Sequence, residues 1–326
     1  MVQSKPLTTF TQIGNQWDTV LSGSPVNTVF LTPQWQEVWW ETFGDGHSMV
    51  GFYLTEAEEV TAIAPLARTG DTLSLVGNQD TVDYNDFLVK PGHEAALYDA
   101  VLGCMDELQC HTLILASLTE SSPTLEHLPE LARSRGFSVE VEQEDVASGI
   151  ALPDKWDDYL AMLSKKDRHE LRRKFRRLEA LPDWRWYSLT GEEQVAERVD
   201  DFIGLMRLSK ADKDEWMTPE REEFFHRITR RMSQDDRLRL FFLELEGRPV
   251  ATSLCFDYDS SRLLYNSGYD PEYSYYSVGL LLDALCLREA IEQKLRYFDF
   301  LRGDEPYKAH LGGQQHVLYQ MVVKRN

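Results

Sequence analysis

The chain has 326 residues, room for two domains of ordinary size. Apolar residues make up 42%, with eight Trp and fourteen Tyr, enough for two packed cores. A formal charge of −20 with 27% charged residues excludes a disordered composition and repels nucleic-acid backbones over most of the surface, so DNA is not an expected partner. No run approaches the roughly 18 apolar residues of a membrane span, and the opening MVQSKPLTTFTQIGNQW lacks the apolar segment of a signal peptide. Cys104, Cys110, Cys255 and Cys286 form no CxxC pair, and the eight His form no HExxH. The expectation is a cytoplasmic protein with buried thiols and no metal.

The first half alternates helix and strand signals. TPQWQEVWWETFG predicts a helix capped by Thr32, opened by Pro33 and stopped at Gly44, with Trp35, Val38, Trp39 and Phe43 at helical spacing. MVGFYL, VTAIAPLA and TLSLVG read as strands. DYNDFLV then leads to a helix after Pro91–Gly92, TLILASL reads as a buried strand, SPTLEHLPELARSRG as a helix and FSVEVEQ as an alternating strand.

The pattern resets near residue 150. Residues 151–183 predict one or two helices with Leu160, Leu163, Leu171, Phe175 and Leu178 on one stripe. Within them, SKKDRHELRRKFRR is strongly basic in an acidic protein. Such a helix is either a solvated face or a seat for an anion, whether phosphate, anionic glycan, lipid headgroup or tRNA. Next come the strand WRWYSLT, helices around 192–209 and 219–233, and three strands joined by the short turns EGRP and DYDSSR, as in antiparallel hairpins. SVGLLLDALCLREAIEQ predicts a helix with the core stripe Val278, Leu281, Leu282 and Leu285. LRYFDFL, the charged loop RGDEPYK and the strand HVLYQMVVK close the chain.

Two places carry chemistry. The helix opening at Ser277 presents unpaired amides and a positive dipole end, so Ser277, Val278 and Gly279 suit a pyrophosphate, although Ser277 also serves as a plain cap. The loop after LRYFDFL crowds Arg302, Asp304, Glu305, Tyr307 and Lys308 together, either as reactive groups or as an ion-pair network holding the loop. GxSxG and Walker-type loops are absent, which excludes those hydrolase and nucleotide-binding patterns.

The strings WQEVWWETFG, DYNDFLVKPG, LSKKDRHELRRKFRRLE, YNSGYDPEYSYYSVGLLL and FDFLRGDEPYKAHLG, with the order of elements around them, resemble the CelD-like acetyltransferases of the GNAT superfamily. That family is linked to cellulose and exopolysaccharide biosynthesis and is similar in turn to the Fem aminoacyltransferases. The resemblance spans roughly residues 30–313. It implies an α/β (α+β) fold of two tandem GNAT-like lobes, each a mixed, mostly antiparallel sheet flanked by helices. The implied parts are a degenerate lobe at 1–150, a basic helical connector at 151–183 and an acyltransferase lobe at 184–326.

The resemblance further implies acetyl-CoA, or another acyl-CoA, as donor to an amine or hydroxyl of a small molecule or sugar. The alternatives are an aminoacyl-tRNA donor, which the net charge disfavours, and a non-catalytic module. Asn266 and Tyr269 would line the donor cleft beside Ser277, Val278 and Gly279. Asp304 or Glu305 would act as base, Tyr307 as acid and Lys308 beside them, with Arg302 orienting the acceptor. Asp83 and Asp86 in DYNDF would bind the acceptor or cap a turn. The superfamily's phosphate loop reads Gln/Arg-x-x-Gly-x-Gly/Ala, and here Tyr276 and Leu281 stand at its first and last places.

Overall fold

The computed structural model describes residues 2–325. The chain divides into two compact units, Met1–Val146 with His316–Asn326, and Ala147–Gln315. The boundary expected at 150 therefore moves to 146/147, and the last strand belongs to the first unit. Both crossings fall inside long strands, Phe137–Ala151 and Gln314–Arg325, where no break in pattern marks them. The segment expected as a connector instead contributes Tyr159, Leu160, Leu163, Leu171 and Leu178 to the second unit's core.

The first unit contains β1 (Gln3–Pro6), α1 (Asn15–Gly23), α2 (Pro33–Phe43), β2 (Ser48–Met49), β3 (Phe52–Glu56), β4 (Glu59–Ala64), β5 (Leu66–Thr69), β6 (Thr72–Leu75), β7 (Leu88–Val89), α3 (Glu94–Glu107), β8 (Thr112–Thr119), α4 (Pro123–Ser134) and the first part of β9 (Phe137–Ala151). Helix α2 starts where its cap dictates: the Trp35 amide donates to Thr32 Oγ1 at 3.3 Å. MVGFYL and VTAIAPLA, read as single strands, each divide between two sheets. The breaks fall near Gly51 and at Pro65, which has no amide to give a ladder. One sheet runs β1-β3-β4-β7; the other runs β9, the last strand, β8, β6, β5, β2. In it β6 and β8 are parallel, joined through α3, and pair over three positions only, Thr72–Ser74 with Thr112–Ile114.

The second unit contains α5 (Trp156–Met162), α6 (Lys165–Glu179), β10 (Trp184–Leu189), α7 (Glu192–Ser209), α8 (Ala211–Trp216), α9 (Pro219–Gln234), β11 (Leu238–Leu245), β12 (Arg248–Tyr258), β13 (Ser261–Tyr269), α10 (Val278–Glu292), β14 (Tyr297–Arg302), α11 (Pro306–His310) and the start of β15 (Gln314–Arg325). Its strands run β10-β11-β12-β13-β14-β9, antiparallel except for the parallel pair β13–β14. This is the mixed, mostly antiparallel α/β fold that the sequence implies. Helix α7 packs so closely on β13 at Gly268 that a Cβ there would lie 2.4 Å from the Met206 nitrogen.

Arg262 on β13 is fully buried and uses all five guanidinium donors. It grips Asp257 of β12 bidentately at 2.7 and 2.8 Å, and it donates to Glu289 at 2.7 Å and the Cys286 carbonyl at 3.0 Å on α10 and to Gln293, the residue that ends α10, at 2.9 Å. The clamp ties two strands to the helix between β13 and β14. Removing one member of a buried ionic network typically costs about 3–5 kcal/mol, because the remaining charges stay desolvated. Arg262→Met should therefore lower the melting temperature by roughly 10 °C for a domain of this size. A melt within about 2 °C of the parent would show that the clamp contributes little.

Candidate functional site

The second unit opens where β13 and β14 part. They are neighbours only over Ser261–Leu263 and Tyr297–Asp299. Beyond that, β13 follows β12 to Tyr269 while β14 follows β9 to Arg302. Each strand has a register shift where they separate, opposite Leu254/Cys255 for β13 and between Asp299 and Leu301 for β14. Leu301 is left-handed with φ 59°. Bulges of this kind bend a strand and increase its twist, so the two strands diverge into a fork.

At the β13 side of the fork the chain turns into α10. Ser277 is the cap residue, held left-handed at φ 57°, and its hydroxyl caps no amide. Instead it accepts from Lys174 Nζ of α6 at 2.6 Å. Arg177, one turn on, donates to the Tyr275 carbonyl at 2.5 Å and lies 4.3 Å over the Tyr275 ring. The basic helix and the helix N-terminus, two separate signals in the sequence, thus form one electropositive seat. Buried Val278 and half-buried Gly279 supply first-turn amides. Gly279 has a packing reason as well, since a Cβ there would come within 3.1 Å of the Tyr269 ring.

Inside the fork lies a cluster of ionisable groups. Asp283 of α10 is buried, and one carboxylate oxygen accepts from Ser253 Oγ of β12 at 2.7 Å. The other oxygen has no hydrogen-bond partner among the described residues. Burial pushes the Asp283 carboxyl up to about 7, against the pull of Ser253, Lys213 and Lys308. Lys213 of α8 donates to Asn266 Oδ1 at 3.2 Å and to the Ser267 carbonyl. Its own burial, and then the charge of Lys210, push its ammonium down to about 8, while Asp283 and Glu305 pull the other way. Two groups that normally titrate far apart thus meet near neutrality, as groups that must exchange protons do.

Of the loop residues, Tyr307 joins this cluster. Its ring packs edge-on to Phe300, and burial followed by the charges of Asp283 and Glu305 keeps its phenol protonated well above the usual range. Its hydroxyl has no hydrogen-bond partner among the described residues. Glu305 is ion-paired to Lys308 at 2.9 Å. Burial alone would raise its carboxyl, but Lys308 more than offsets this and holds it low.

Lys308 is buried, and its ammonium donates to the carbonyls of Leu301, Arg302 and Gly303. It braces the turn after β14, the ion-pair role left open by the sequence. Arg302 is half-buried at the end of β14, and Asp304 is exposed with no partner among the described residues. In the first unit, Asp86 is fully buried and accepts from the hydroxyls of Ser122 and Thr124 and from the Phe87 amide, closing the start of α4. Its acceptors go to the fold, the capped-turn reading. Asp83 is half-buried nearby in the sequence.

Lys213 and Asp283 escaped the sequence reading. Asp283 left one trace, a lone carboxylate inside LLLDALCL on an otherwise apolar helix. Lys213 left none, because α8 is too short for periodicity. No group of His, Cys, Asp and Glu among the described residues could hold a metal ion.

Residues 165–309 match the family model described as an acetyltransferase (GNAT) domain. No curated protein matches the chain by sequence. Among solved structures it is similar to FemX, with 12% identity, 98% of this chain and 96% of that one covered, and a TM-score of 0.69. It is also similar to L-PGS from Bacillus licheniformis, with 12% identity, coverage of 96% and 91%, and a TM-score of 0.59. A third is a tandem GNAT protein from the clavulanic acid biosynthesis pathway, with 14% identity, coverage of 98% of each chain and a TM-score of 0.53. At these identities the likeness is one of fold, a tandem GNAT-like fold.

The buried carboxylate makes a prediction about stability. With its folded value above the unfolded one, Asp283 binds more protons in the native state between about pH 4 and 7, so its contribution to stability declines as pH rises through that window. Asp283→Asn keeps an acceptor for Ser253 and cannot ionise. It should melt higher than the parent at pH 8 and close to it at pH 4. An equal or lower melting point at pH 8 contradicts the assignment.

Proposed function

We propose that the second unit is an acyltransferase that moves an acyl group from a CoA thioester, acetyl-CoA first among them, to an amine or hydroxyl of a small molecule or sugar. The observation that carries this reading is the fork itself: two parallel strands closed at one end and parted at the other, with a helix N-terminus and two cations at its rim and proton-handling groups within. The amides of Val278 and Gly279, Lys174 and Arg177 fit a diphosphate by charge and by donor type. Asn266 and Tyr269, on the strand edge, fit the amides of a pantetheine arm. The match of residues 165–309 to an acetyltransferase domain supports the same reading.

The bound thioester supplies an activated acyl carbon. Asp283, with Lys213 beside it, takes the proton from the attacking amine or hydroxyl as the new bond to carbon forms. Glu305 is the weaker base, because Lys308 stabilises its charge. Tyr307 retains its proton and gives it to the sulfur as the carbon–sulfur bond breaks. The proton taken and the proton given balance over the cycle. Asp304 and Arg302, at the mouth of the loop, are the proposed contacts to the acceptor. A setting in the cytoplasm and in polysaccharide biosynthesis rests on the resemblance of the sequence strings.

A second reading has one observation in its favour, the likeness of fold over nearly the whole chain to FemX and to L-PGS from Bacillus licheniformis. It replaces the CoA thioester with an aminoacyl ester on tRNA, held by the basic helix α6. The charge of −20 opposes it.

Calorimetry separates the readings. Acetyl-CoA should bind, and Lys174→Ala or Arg177→Ala should each weaken it about five- to tenfold, near 1 kcal/mol per lost charged contact. Tyr307→Phe should leave binding intact and lower turnover about a hundredfold. No heat with millimolar acetyl-CoA, together with tRNA binding that falls steeply with salt, transfers the assignment to the aminoacyl reading. Silence with both ligands leaves a non-catalytic module.

A further inference from the structure

The first unit repeats the fork with different chemistry around it. Its parallel strands β6 and β8 pair over three positions and then separate. Ser117 of β8 is left-handed at φ 63°, within a register shift between Tyr319 and Met321 on the neighbouring strand, the counterpart of Leu301 in β14. Where β6 and β8 part lies a hollow of about 310 Å³, the lower end of the size range of small-ligand sites. Its lining includes the apolar Leu75, Ile114 and Ala116 and the polar Ser74, Gln79 and Gln320.

Charge decides what could enter. The lining contains no Lys, Arg or His, and Asp80 stands among it. The helix joining the two strands, α3, opens with Glu94, whose carboxylate accepts from the Gly92 amide at 2.8 Å. That helix end is therefore acidic, where α10 in the second unit has Lys174 and Arg177. A diphosphate is disfavoured here. Neutral hydrogen-bonding groups remain. The side chains of Ser74, Gln79 and Gln320 have no hydrogen-bond partner among the described residues. Asn78 uses its Oδ1 on the Asp80 amide and the Thr81 hydroxyl, at 3.1 and 2.8 Å, which leaves its NH₂ for a ligand.

We propose that the parted strands of the first unit form a binding site for a neutral, hydroxyl- and amide-bearing ligand of monosaccharide size, seated against the apolar side chains of Leu75, Ile114 and Ala116 and held by the free amides and hydroxyl of Asn78, Gln79, Gln320 and Ser74. This site is separate from the fork of the second unit and does not depend on the acyltransferase reading. An apolar lining with a few placed polar groups is what neutral ligands of this size require. A side chain pointing from Ala116 would fill the hollow.

Saturation-transfer NMR on the full chain, with N-acetylglucosamine as the probe, tests it. A saturable signal in the millimolar range is expected, unaffected by excess CoA. Ala116→Trp should abolish it, and Gln320→Leu, a milder change at a half-buried position, should weaken it about fivefold, the scale of one hydrogen bond. Circular dichroism melts report whether Ala116→Trp still folds; if it does not, Gln320→Leu alone decides. No saturable signal, a signal unchanged in the folded variants, or displacement by CoA overturns the proposal.

Discussion

Arg262 fixes where the second unit is closed and therefore where it opens. Parallel strands joined through a helix have every reason to pair along their full length, since each unpaired amide and carbonyl must find another partner. Here the joining helix is bound to the closed end by Arg262, which spans Asp257, Glu289, Gln293 and the Cys286 carbonyl. Past that clamp, the bulges at Leu254/Cys255 and at Asp299/Leu301 turn each strand toward its other neighbour. Lys308 completes the arrangement by taking three carbonyls at the free end of β14. The opening is built by satisfying backbone groups elsewhere.

Burial then gives the opening its chemistry. A carboxylate and an ammonium placed in water would titrate more than six pH units apart. In the fork, desolvation raises the one and lowers the other, and their mutual attraction only partly restores the gap. Such a pair is costly to fold, and nothing in the core packing requires it: α10 would satisfy its stripe with an apolar residue at 283. A buried charge cluster that destabilises the fold, at the open end of a cleft, is the pattern expected of a working site.

How much of this the sequence discloses depends on the range of the interaction. Caps and stripes are local, so Thr32–Pro33, the helix from Ser277 and the strand before RGDEPYK are legible. The contact of α6 with the start of α10 is foreshadowed only by two unconnected signals, the basic run from Ser164 to Arg177 and the helix opening at Ser277. Their union by Lys174 spans about a hundred residues and has no local signature. Arg262 reaches partners 5 to 31 residues away and looks like any strand-edge arginine, because no local period marks which groups of α10 it meets. The sharing of β9 and β15 between the units is hidden by a longer separation still. Lys308 and Asp86 were visible as ionisable residues in loops. The sequence could not tell that their charges are turned inward on the backbone and on Ser122 and Thr124.

The two departures from the glycine-rich phosphate pattern find their physical reason in the packing. Leu281 is fully buried in the core, and Tyr276 packs against the same cluster. Both positions serve the interior, and neither is available to let a ligand approach the backbone. With Leu281 in the place of the pattern's last Gly/Ala, one close backbone approach is lost, so on the proposed function more of the attraction for an anion comes from side chains. Lys174 and Arg177 stand at that place, anchored to Ser277 and Tyr275. An anchored cation loses less freedom when an anion arrives than a free one does. On the proposed function, donor affinity would rest on α6, whose basic run, out of place in an acidic chain, supplies charge where the phosphate pattern is incomplete.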